Sequence, residues 1–304
     1  MKISLVVPAY NEELAIKKVV NEALEYVDEI IVVDDGSKDN TSKIVKDTFS
    51  DNPKVKLIKH SVNQGKAHAL RTGVSNATGD IVVFTDADDT YPACHIPELA
   101  AEIQRSNADV VIGSRFMPRP PKHMSFSHIM GNKLFSGLVS YISSAEITDS
   151  QSGMRAFKRE IFPEIDVKAR SLEYEPKATA RAAKLGYKIK EIPIGYRARI
   201  GQSKINEVRD GLKIIYSLAH VAYSETSLLA RTIMVPGLII GLIGLFIGTG
   251  LIKDYFILGI VKRPYYPLIV TLSLLVATQL FSLGLIIDNI GKKLSRMEEA
   301  VKKG

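Results

Sequence analysis

Short apolar runs alternate with segments of mixed polarity along the first 115 residues, and this alternation predicts the fold. The runs, many of them rich in Val and Ile as buried strands are, cover residues 3–7, 29–33, 55–59, 81–85 and 110–113. Segments between them have helical character, one running to about residue 26 and another from 66 to about 76. The pattern predicts an α/β fold, a mostly parallel sheet covered by helices on both faces and joined by right-handed crossovers.

Two long uncharged stretches, 232–252 and 264–287, predict a pair of transmembrane helices, because each is long enough to cross roughly 30 Å of hydrocarbon. Before them, apolar residues at helical spacing over 205–222 predict an amphipathic helix at the membrane interface. Residues 129–142 also have helical spacing, and a position in the core or on a membrane surface explains them equally well.

We therefore expect three regions. An α/β domain covers 1–204, an amphipathic interfacial region covers 205–230, and a two-helix transmembrane hairpin with a basic tail covers 231–304.

Cysteine content and the amino terminus predict a cytosolic location for the α/β domain. The single cysteine, Cys94, allows no internal disulfide, which agrees with a reducing compartment. Met1-Lys2 leads directly into the first apolar run without a signal peptide, so we expect residues 1–230 to stay in the cytosol.

The charge distribution predicts how the hairpin is oriented in the membrane and which partners the protein binds. The net charge is +7, and basic residues flank both spans, which favours a cytoplasmic position for both chain ends; three basic residues in the connection 253–263 oppose this signal. No basic run is interleaved with aromatic residues, so we expect no nucleic acid partner. A lipid bilayer and phosphate groups are the expected partners, and the two spans offer a surface through which copies of the chain could associate.

The main candidate for chemistry is the acidic run that follows residues 81–85. Ligands bind at the carboxyl ends of strands in an open parallel sheet, and Asp86, Asp88 and Asp89 stand at such an end. Asp86 and Asp88 are two residues apart, so in extended backbone both side chains leave on the same side and can share Mg²⁺ or Mn²⁺, which suits a diphosphate. The alternative is a loop that only caps the next helix.

Two basic residues also follow strand or turn positions. Lys66 opens a predicted helix after Asn63-Gln64-Gly65, where free N–H groups suit an anion, although a structural turn explains the pattern equally well. Arg115 follows the run 110–113 and is a candidate for binding phosphate.

Seven short motifs occur in one order along the chain. They are Val7-Pro8-Ala9-Tyr10-Asn11-Glu12, Val33-Asp34-Asp35-Gly36-Ser37, Asn63-Gln64-Gly65-Lys66, Asp86-Ala87-Asp88, Gly113-Ser114-Arg115, Ser152-Gly153-Met154-Arg155, and Arg197-Ala198-Arg199 with Ser203-Lys204. Together they resemble the family 2 glycosyltransferases of the GT-A fold, and more narrowly the dolichyl-phosphate mannose synthase and polyprenyl-phosphate glucosyltransferase group. The resemblance covers about residues 1–222, and the two spans are similar to the membrane anchor of some members.

The resemblance implies a site for a nucleoside diphosphate sugar, with Val33 and Asp35 at the base and ribose. Turn chemistry is the alternative for Asp34 and Asp35. The implied nucleotide-sugar residues are Pro8, Tyr10, Glu12, Val33, Asp35, Lys66, Asp86, Ala87, Asp88, Arg115, Arg199 and Lys204.

Metal and clamp residues are also implied by the resemblance. Asp88 is expected to be the main metal ligand, with Asp86 contacting sugar or metal. Members of the group often have Gln where this chain has Thr90, whose hydroxyl is a poorer ligand. Arg199 and Lys204 resemble a mobile basic pair that closes over the diphosphate, although a solvated loop near an anionic membrane also explains them.

The remaining implied residues concern the acceptor. Asp149 matches an acid near the reacting centre, and we expect it to orient groups, because a lipid monophosphate is mostly a dianion at pH 7 and needs no base. Arg115, with His128 and Lys133, is expected to bind the acceptor phosphate. The predicted catalytic set is Asp88, Asp149, Arg115, Arg199 and Lys204.

The resemblance implies inverting transfer of a sugar to dolichyl or polyprenyl phosphate, dependent on Mg²⁺ or Mn²⁺. One alternative is extension of a lipid-linked oligosaccharide or polysaccharide, in which a hydroxyl acceptor would need Asp149 as its base. The chain has no tryptophan, so it lacks the Gln-x-x-Arg-Trp motif of processive synthases. A second alternative is an inactive, membrane-tethered nucleotide-sugar sensor, against which the intact set of acids and basic residues argues.

Overall fold

The chain separates into two compact units, Met1–Leu218 and Ala219–Gly304. The computed structural model describes residues 1–117, 119–121, 124, 126–143, 146–167, 174–201, 226–260 and 263–303. The predicted boundary at residue 204 and the helix predicted over 205–222 lie outside the described residues.

The first unit is built on a seven-stranded sheet with the strand order β3-β2-β1-β4-β6-β5-β7. All five strands predicted from the apolar runs are present, whereas β6 and β7 were not predicted. The strands are β1 (Ile3–Ala9), β2 (Glu29–Asp34), β3 (Val55–Lys59), β4 (Ile81–Phe84), β5 (Val110–Ser114), β6 (Arg155–Lys158) and β7 (Ile189–Pro193).

Strand β6 runs against its two neighbours, β4 and β5, whereas the other strand pairs are parallel. In the β4–β6 pair, Phe84 lies opposite Arg155. The carboxyl end of β4 therefore meets the beginning of β6, and the chain just before β6 lies beside the acidic loop. The sheet is mostly parallel, as predicted.

Helices occupy the connections between the strands, and two of them carry proline as their second residue, where the missing N–H has no helical partner in any case. Short 3₁₀ turns at Ala93–His95 and Arg159–Ile161 precede these two helices. The helices are α1 (Ile16–Ala23), α2 (Thr41–Phe49), α3 (Lys66–Ser75), α4 (Ile96–Arg105), α5 (Phe126–Ser143), α6 (Phe162–Ile165) and α7 (Tyr174–Lys184).

The core has two layers, one on each face of the sheet. Successive side chains of a strand point to opposite faces, so Leu5 of β1 joins one layer with Ile16 of α1, while Val6 joins the other with Leu70 of α3. The fold is therefore the predicted α/β arrangement with helices on both faces.

Residues 129–142, for which the sequence allowed a place in the core or on a membrane surface, belong to helix α5 and are only partly buried. Phe135 and Val139 are buried, whereas Met130 and Leu134 are 52% and 62% exposed. One side of α5 therefore packs in the unit and the other leaves apolar side chains uncovered.

The second unit contains two long helices, α8 (Leu228–Leu258) and α9 (Tyr266–Lys303). Within them, Leu228–Ile257 and Tyr266–Gly291 are long and apolar enough to span a membrane. The helices approach closely at glycines: a Cβ at Gly237 would lie 2.9 Å from the Cβ of Leu280. The predicted spans fall almost wholly inside these helices, which extend further than predicted.

Candidate active site

The acidic loop follows β4 at its carboxyl end, as predicted, and its aspartates differ in exposure. The side chain of Asp88 is 10% exposed and that of Asp86 is 29% exposed. Thr90 donates two hydrogen bonds to Oδ1 of Asp88, from its hydroxyl at 2.6 Å and from its backbone N–H at 3.1 Å. These bonds orient Asp88, and the role of Thr90 as a metal ligand stays a prediction.

A cavity of about 330 Å³ lies beside this loop, within the range of small-molecule sites. Val33 does not line it, because its side chain is fully buried in the core, nor does Arg115; Lys204 lies outside the described residues. The predicted residues that do line the cavity are Pro8, Tyr10, Glu12, Asp35, Lys66, Asp86, Ala87, Asp88 and Arg199, joined by Ala9, Asn63, Gly65 and Ala69.

Lys66 joins two carboxylates that are far apart in the sequence. Its Nζ lies 2.6 Å from Oδ1 of Asp86 and 2.6 Å from Oε1 of Glu175. Burial alone would lower the pKa of Lys66, but the two carboxylates outweigh it and hold the pKa well above its usual value. Gly65, at φ +94°, provides the turn that places Lys66 at the start of α3. Glu175 is therefore linked to the site through its ion pair with Lys66.

Arg199 stands inside the cavity between two acids. Its Nη1 donates to Oδ2 of Asp88 at 2.8 Å, and its Nη2 pairs with Glu12. The Nε is buried and has no hydrogen-bond partner among the residues that the structure describes. The positive charge of the guanidinium thus compensates the negative charge of Asp88.

The contacts of Asp35 are compatible with both interpretations made from the sequence, a place in a binding site and turn chemistry. Its carboxylate lines the cavity, and it also contacts Nδ1 of His60 at 2.7 Å and accepts backbone N–H bonds from Gln64 at 3.0 Å and Gly65 at 2.7 Å. Asp34 accepts the backbone N–H of Ser37 at 2.9 Å, which is turn chemistry. Asp35 therefore shapes the loop that leads into α3 while facing the cavity.

Asp149 and Arg115 form a closed ion pair. Asp149 is fully buried, and it accepts Nε of Arg115 at 2.7 Å, Nη2 at 2.8 Å and the backbone N–H at 3.0 Å. Glu191 accepts the backbone N–H of Asp149 at 2.9 Å, and the guanidinium lies 5.2 Å from the ring centre of Tyr196. Asp149 therefore fixes the side chain of Arg115, and its orienting role at the reacting centre stays a prediction.

The predicted acceptor residues are only partly visible. Lys133 lies on the exposed side of α5. His128 belongs to the same helix, but the position of its side chain is not described. Their roles stay predictions.

The carboxylates of Asp86 and Asp88 suit a divalent cation whose remaining coordination positions are filled by the substrate. Among the described residues, no group of three or more His, Cys, Asp or Glu side chains is arranged to hold a metal. Magnesium commonly takes only one or two protein carboxylates together with substrate phosphates, which matches Asp86 and Asp88. Burial raises the pKa of Asp88, and the charge of Asp86 raises it further. The two carboxylates attract positive charge, which Lys66 supplies at Asp86 and Arg199 at Asp88.

Some contacts of the site gave no signal in the sequence. Arg197 pairs with Glu22 of α1 and Asp89 of the acidic loop, and the hydroxyl of Tyr91 accepts the backbone N–H of Gly153 at 2.8 Å. These partners are 62 to 175 residues apart. The Arg-Ala-Arg motif was the one available signal, and it assigned no role to Arg197.

Comparison with known proteins identifies the family. Residues 4–166 match the model of glycosyl transferase family 2. The UDP-N-acetylglucosamine–dolichyl-phosphate N-acetylglucosaminyltransferase of Methanococcus voltae is 35% identical over 236 residues, covering 71% of this chain and 94% of that protein. The dolichyl-phosphate hexose transferase of Haloferax volcanii is 31% identical over 226 residues, covering 73% and 95%.

A solved structure gives the same fold. It is glucosyl-3-phosphoglycerate synthase from Mycobacterium tuberculosis in complex with Mn²⁺, UDP and glucosyl-3-phosphoglycerate, with a TM-score of 0.57, 23% identity, and coverage of 71% of this chain and 78% of that one. With the site geometry and the family match in agreement, this chain belongs to glycosyl transferase family 2 and is a glycosyltransferase.

Proposed function

We propose that this glycosyltransferase moves a sugar from a nucleoside diphosphate sugar to the phosphate of a dolichol or polyprenol. The observation that carries the proposal is one cavity in which Asp86 and Asp88 are countered by Lys66 and Arg199. The names of the Methanococcus and Haloferax relatives, both dolichyl-phosphate transferases, support the choice of acceptor.

The donor end of the cavity suits a diphosphate. Asp86 and Asp88 would hold Mg²⁺ or Mn²⁺, which would neutralise diphosphate charge when bound. Lys66 and Arg199 are cations that already face this space, and charge-assisted bonds from them would stabilise the negative charge of the departing nucleoside diphosphate. The Mn²⁺ in the solved mycobacterial complex supports a metal for this chain.

At the acceptor, an oxygen of the lipid monophosphate forms the new bond to the anomeric carbon. The bond from that carbon to the diphosphate breaks, its electron pair leaves with the nucleoside diphosphate, and the anomeric configuration inverts. The acceptor is mostly a dianion at pH 7, so no protein base is needed. The complete burial of Asp149 against Arg115 supports this assignment over a hydroxyl acceptor that would need Asp149 as its base.

The second unit would bring the enzyme to its lipid. Two spans that cross as a hairpin would return the chain to the side of the membrane from which it entered. The basic residues that flank the spans support the cytoplasmic side for the catalytic unit and both ends.

The test is transfer of labelled sugar by the full-length protein in detergent. UDP-glucose, UDP-N-acetylglucosamine and GDP-mannose are each supplied with one polyprenyl phosphate and Mn²⁺, and label in the organic phase is counted. We expect one donor to label the lipid, EDTA to abolish transfer, and added Mn²⁺ to restore it.

Matched variants separate the site from general effects of charge. Asp88→Asn should lower turnover at least about 100-fold, as the loss of an electrostatic group in a catalytic site does. Asp47→Asn, at an exposed position of α2, should leave turnover unchanged. Activity that survives EDTA, or label that enters a lipid-linked oligosaccharide but never the lipid phosphate, would contradict the proposal.

A further inference from the structure

The segment that carries Arg199 is attached to the acidic loop by its main chain. The backbone N–H of Arg197 donates to the carbonyl of Thr90 at 2.8 Å, and that of Ile200 donates to the carbonyl of Asp88 at 3.1 Å. The segment therefore lies along the loop, and a displacement of one displaces the other.

Arg197 fixes this segment from outside the cavity. Its Nη1 lies 2.9 Å and 3.0 Å from the two carboxylate oxygens of Glu22 on α1, and 3.0 Å from Oδ1 of Asp89. Asp89 is 4% exposed and has a φ of +65°, a backbone conformation that side chains other than glycine rarely adopt. Such strained positions persist when surrounding contacts hold them, and Arg197 is one of those contacts.

The two arginines of the segment have different surroundings. Arg199 lines the cavity and pairs with Asp88 and Glu12, whereas Arg197 does not line the cavity. Adjacent carboxylates of the acidic loop thus each hold one arginine: Asp88 holds Arg199, and Asp89 holds Arg197.

Resting on the proposed function, we propose that Arg197 is a positioning residue. By fixing the segment to Glu22 and Asp89, it holds Arg199 where the diphosphate binds. The Arg199 side chain is then already ordered before the donor binds, so less conformational entropy is lost on binding and affinity is higher.

Lys18 provides a matched control within the same cluster. Its Nζ lies 2.5 Å from Oδ2 of Asp89 and 3.9 Å from Oε1 of Glu22, so it faces the same two acids. It belongs to α1, however, and among the described residues it has no hydrogen bond or ion pair with the segment that carries Arg199. Arg197→Gln and Lys18→Gln therefore remove the same charge from the same acids, but only the first releases the segment.

The experiment is calorimetric binding of UDP and of GDP, each with Mn²⁺, to the full-length protein in detergent. We expect Arg197→Gln to weaken binding of the preferred nucleotide about tenfold, and Lys18→Gln to change it less than about twofold. Glu22→Gln, which removes a partner without altering the segment, should weaken binding in the same direction as Arg197→Gln. It keeps the test decisive if Arg197→Gln does not fold.

A double-variant cycle tests whether Arg197 acts through Arg199. In an Arg199→Gln background, Arg197→Gln should produce no further weakening. Equal effects of Arg197→Gln and Lys18→Gln, or a full tenfold effect without Arg199, would overturn the positioning role and leave the proposed function standing. Failure of the unaltered protein to bind either nucleotide would instead overturn the proposed function.

Discussion

Asp149 and Arg115 are joined through two side-chain hydrogen bonds of 2.7 and 2.8 Å, and the carboxylate is fully buried. Breaking a buried ion pair by altering one partner leaves the other charge without compensation. Asp149→Asn should therefore lower the free energy of unfolding by about 3 kcal/mol and reduce turnover as well. Thermal unfolding in detergent, followed by circular dichroism, measures the first effect.

This variant also separates the two acceptor classes once stability is measured beside activity. The pairing with Arg115 predicts that stability and turnover fall together. If Asp149→Asn loses nearly all turnover while unfolding at the normal temperature, Asp149 is acting as a base, and a hydroxyl acceptor is indicated.

The contacts of Lys66 predict that turnover falls sharply when its charge is removed and its size is kept. Lys66→Met removes the cation between Asp86 and Glu175, so turnover should fall about 100-fold. Lys43→Met, at an exposed position of α2, is the matched control and should retain normal turnover. Comparable rates in the two variants would show that Lys66 has only a structural role.

The bond between Thr90 and Asp88 predicts a smaller, separable effect. Thr90→Val keeps the shape of the side chain but removes the hydroxyl that donates at 2.6 Å, which should cost about 1 kcal/mol of stability. Mn²⁺ binding, measured by electron paramagnetic resonance, should weaken, while Thr90→Ser should bind normally. Normal Mn²⁺ binding by the valine variant would remove Thr90 from the metal site altogether.

His95 predicts a pH dependence of stability. Its Nε2 accepts the backbone N–H of Gly195 at 2.8 Å, which requires the neutral ring, and burial lowers its pKa against the opposing charge of Glu98. A histidine with a lowered pKa in the folded state binds protons more readily when unfolded, so its stabilising effect is present above about pH 6.5 and is lost as the pH falls below that value.

His95→Gln isolates this contribution, because glutamine accepts the same bond without titrating. Between pH 7.5 and 5.5, the unfolding temperature of the unaltered protein should fall further than that of the variant. Parallel curves for the two proteins would show that His95 does not titrate in this range.

The close approach of α8 and α9 at Gly237 predicts an effect of added volume. Gly237→Val would place a side chain against Leu280 and should destabilise the hairpin by about 1–3 kcal/mol, as overpacking does. Gly250→Val is the control, because a Cβ at Gly250 meets nothing within 4 Å. Thermal unfolding in detergent should separate the two variants, and equal stability would mean that the helices do not need this approach.

The sequence predicted the strands whose apolar residues lie together in the chain. Residues 81–84 form β4 and the acidic loop follows at its carboxyl end, because a buried strand and its exit are both local features. Strand β6 was missed since four residues, Arg-Ala-Phe-Lys, carry no clear alternation, and its place depends on pairing with β4 and β5.

The site was predictable where a motif carried a residue directly into the cavity, and less so where one side chain holds another. Glu12, Asp35 and Arg199 line the cavity, and their roles at a nucleotide sugar stay predictions. The pairing of Arg115 with Asp149, 34 residues away, was not predicted: Arg115 was expected to bind phosphate, and Asp149 to orient groups near the reacting centre. Contacts between distant side chains depend on the assembled fold, which local patterns do not describe.

The reversed direction of β6 restricts the space for a side chain at position 153. Its approach brings Gly153 beside the acidic loop, where a Cβ would lie only 2.7 Å from Oδ2 of Asp86. Any larger residue there would push that carboxylate aside. A substitution at position 153 would therefore act on the acidic loop, by changing the position of Asp86 and its pairing with Lys66.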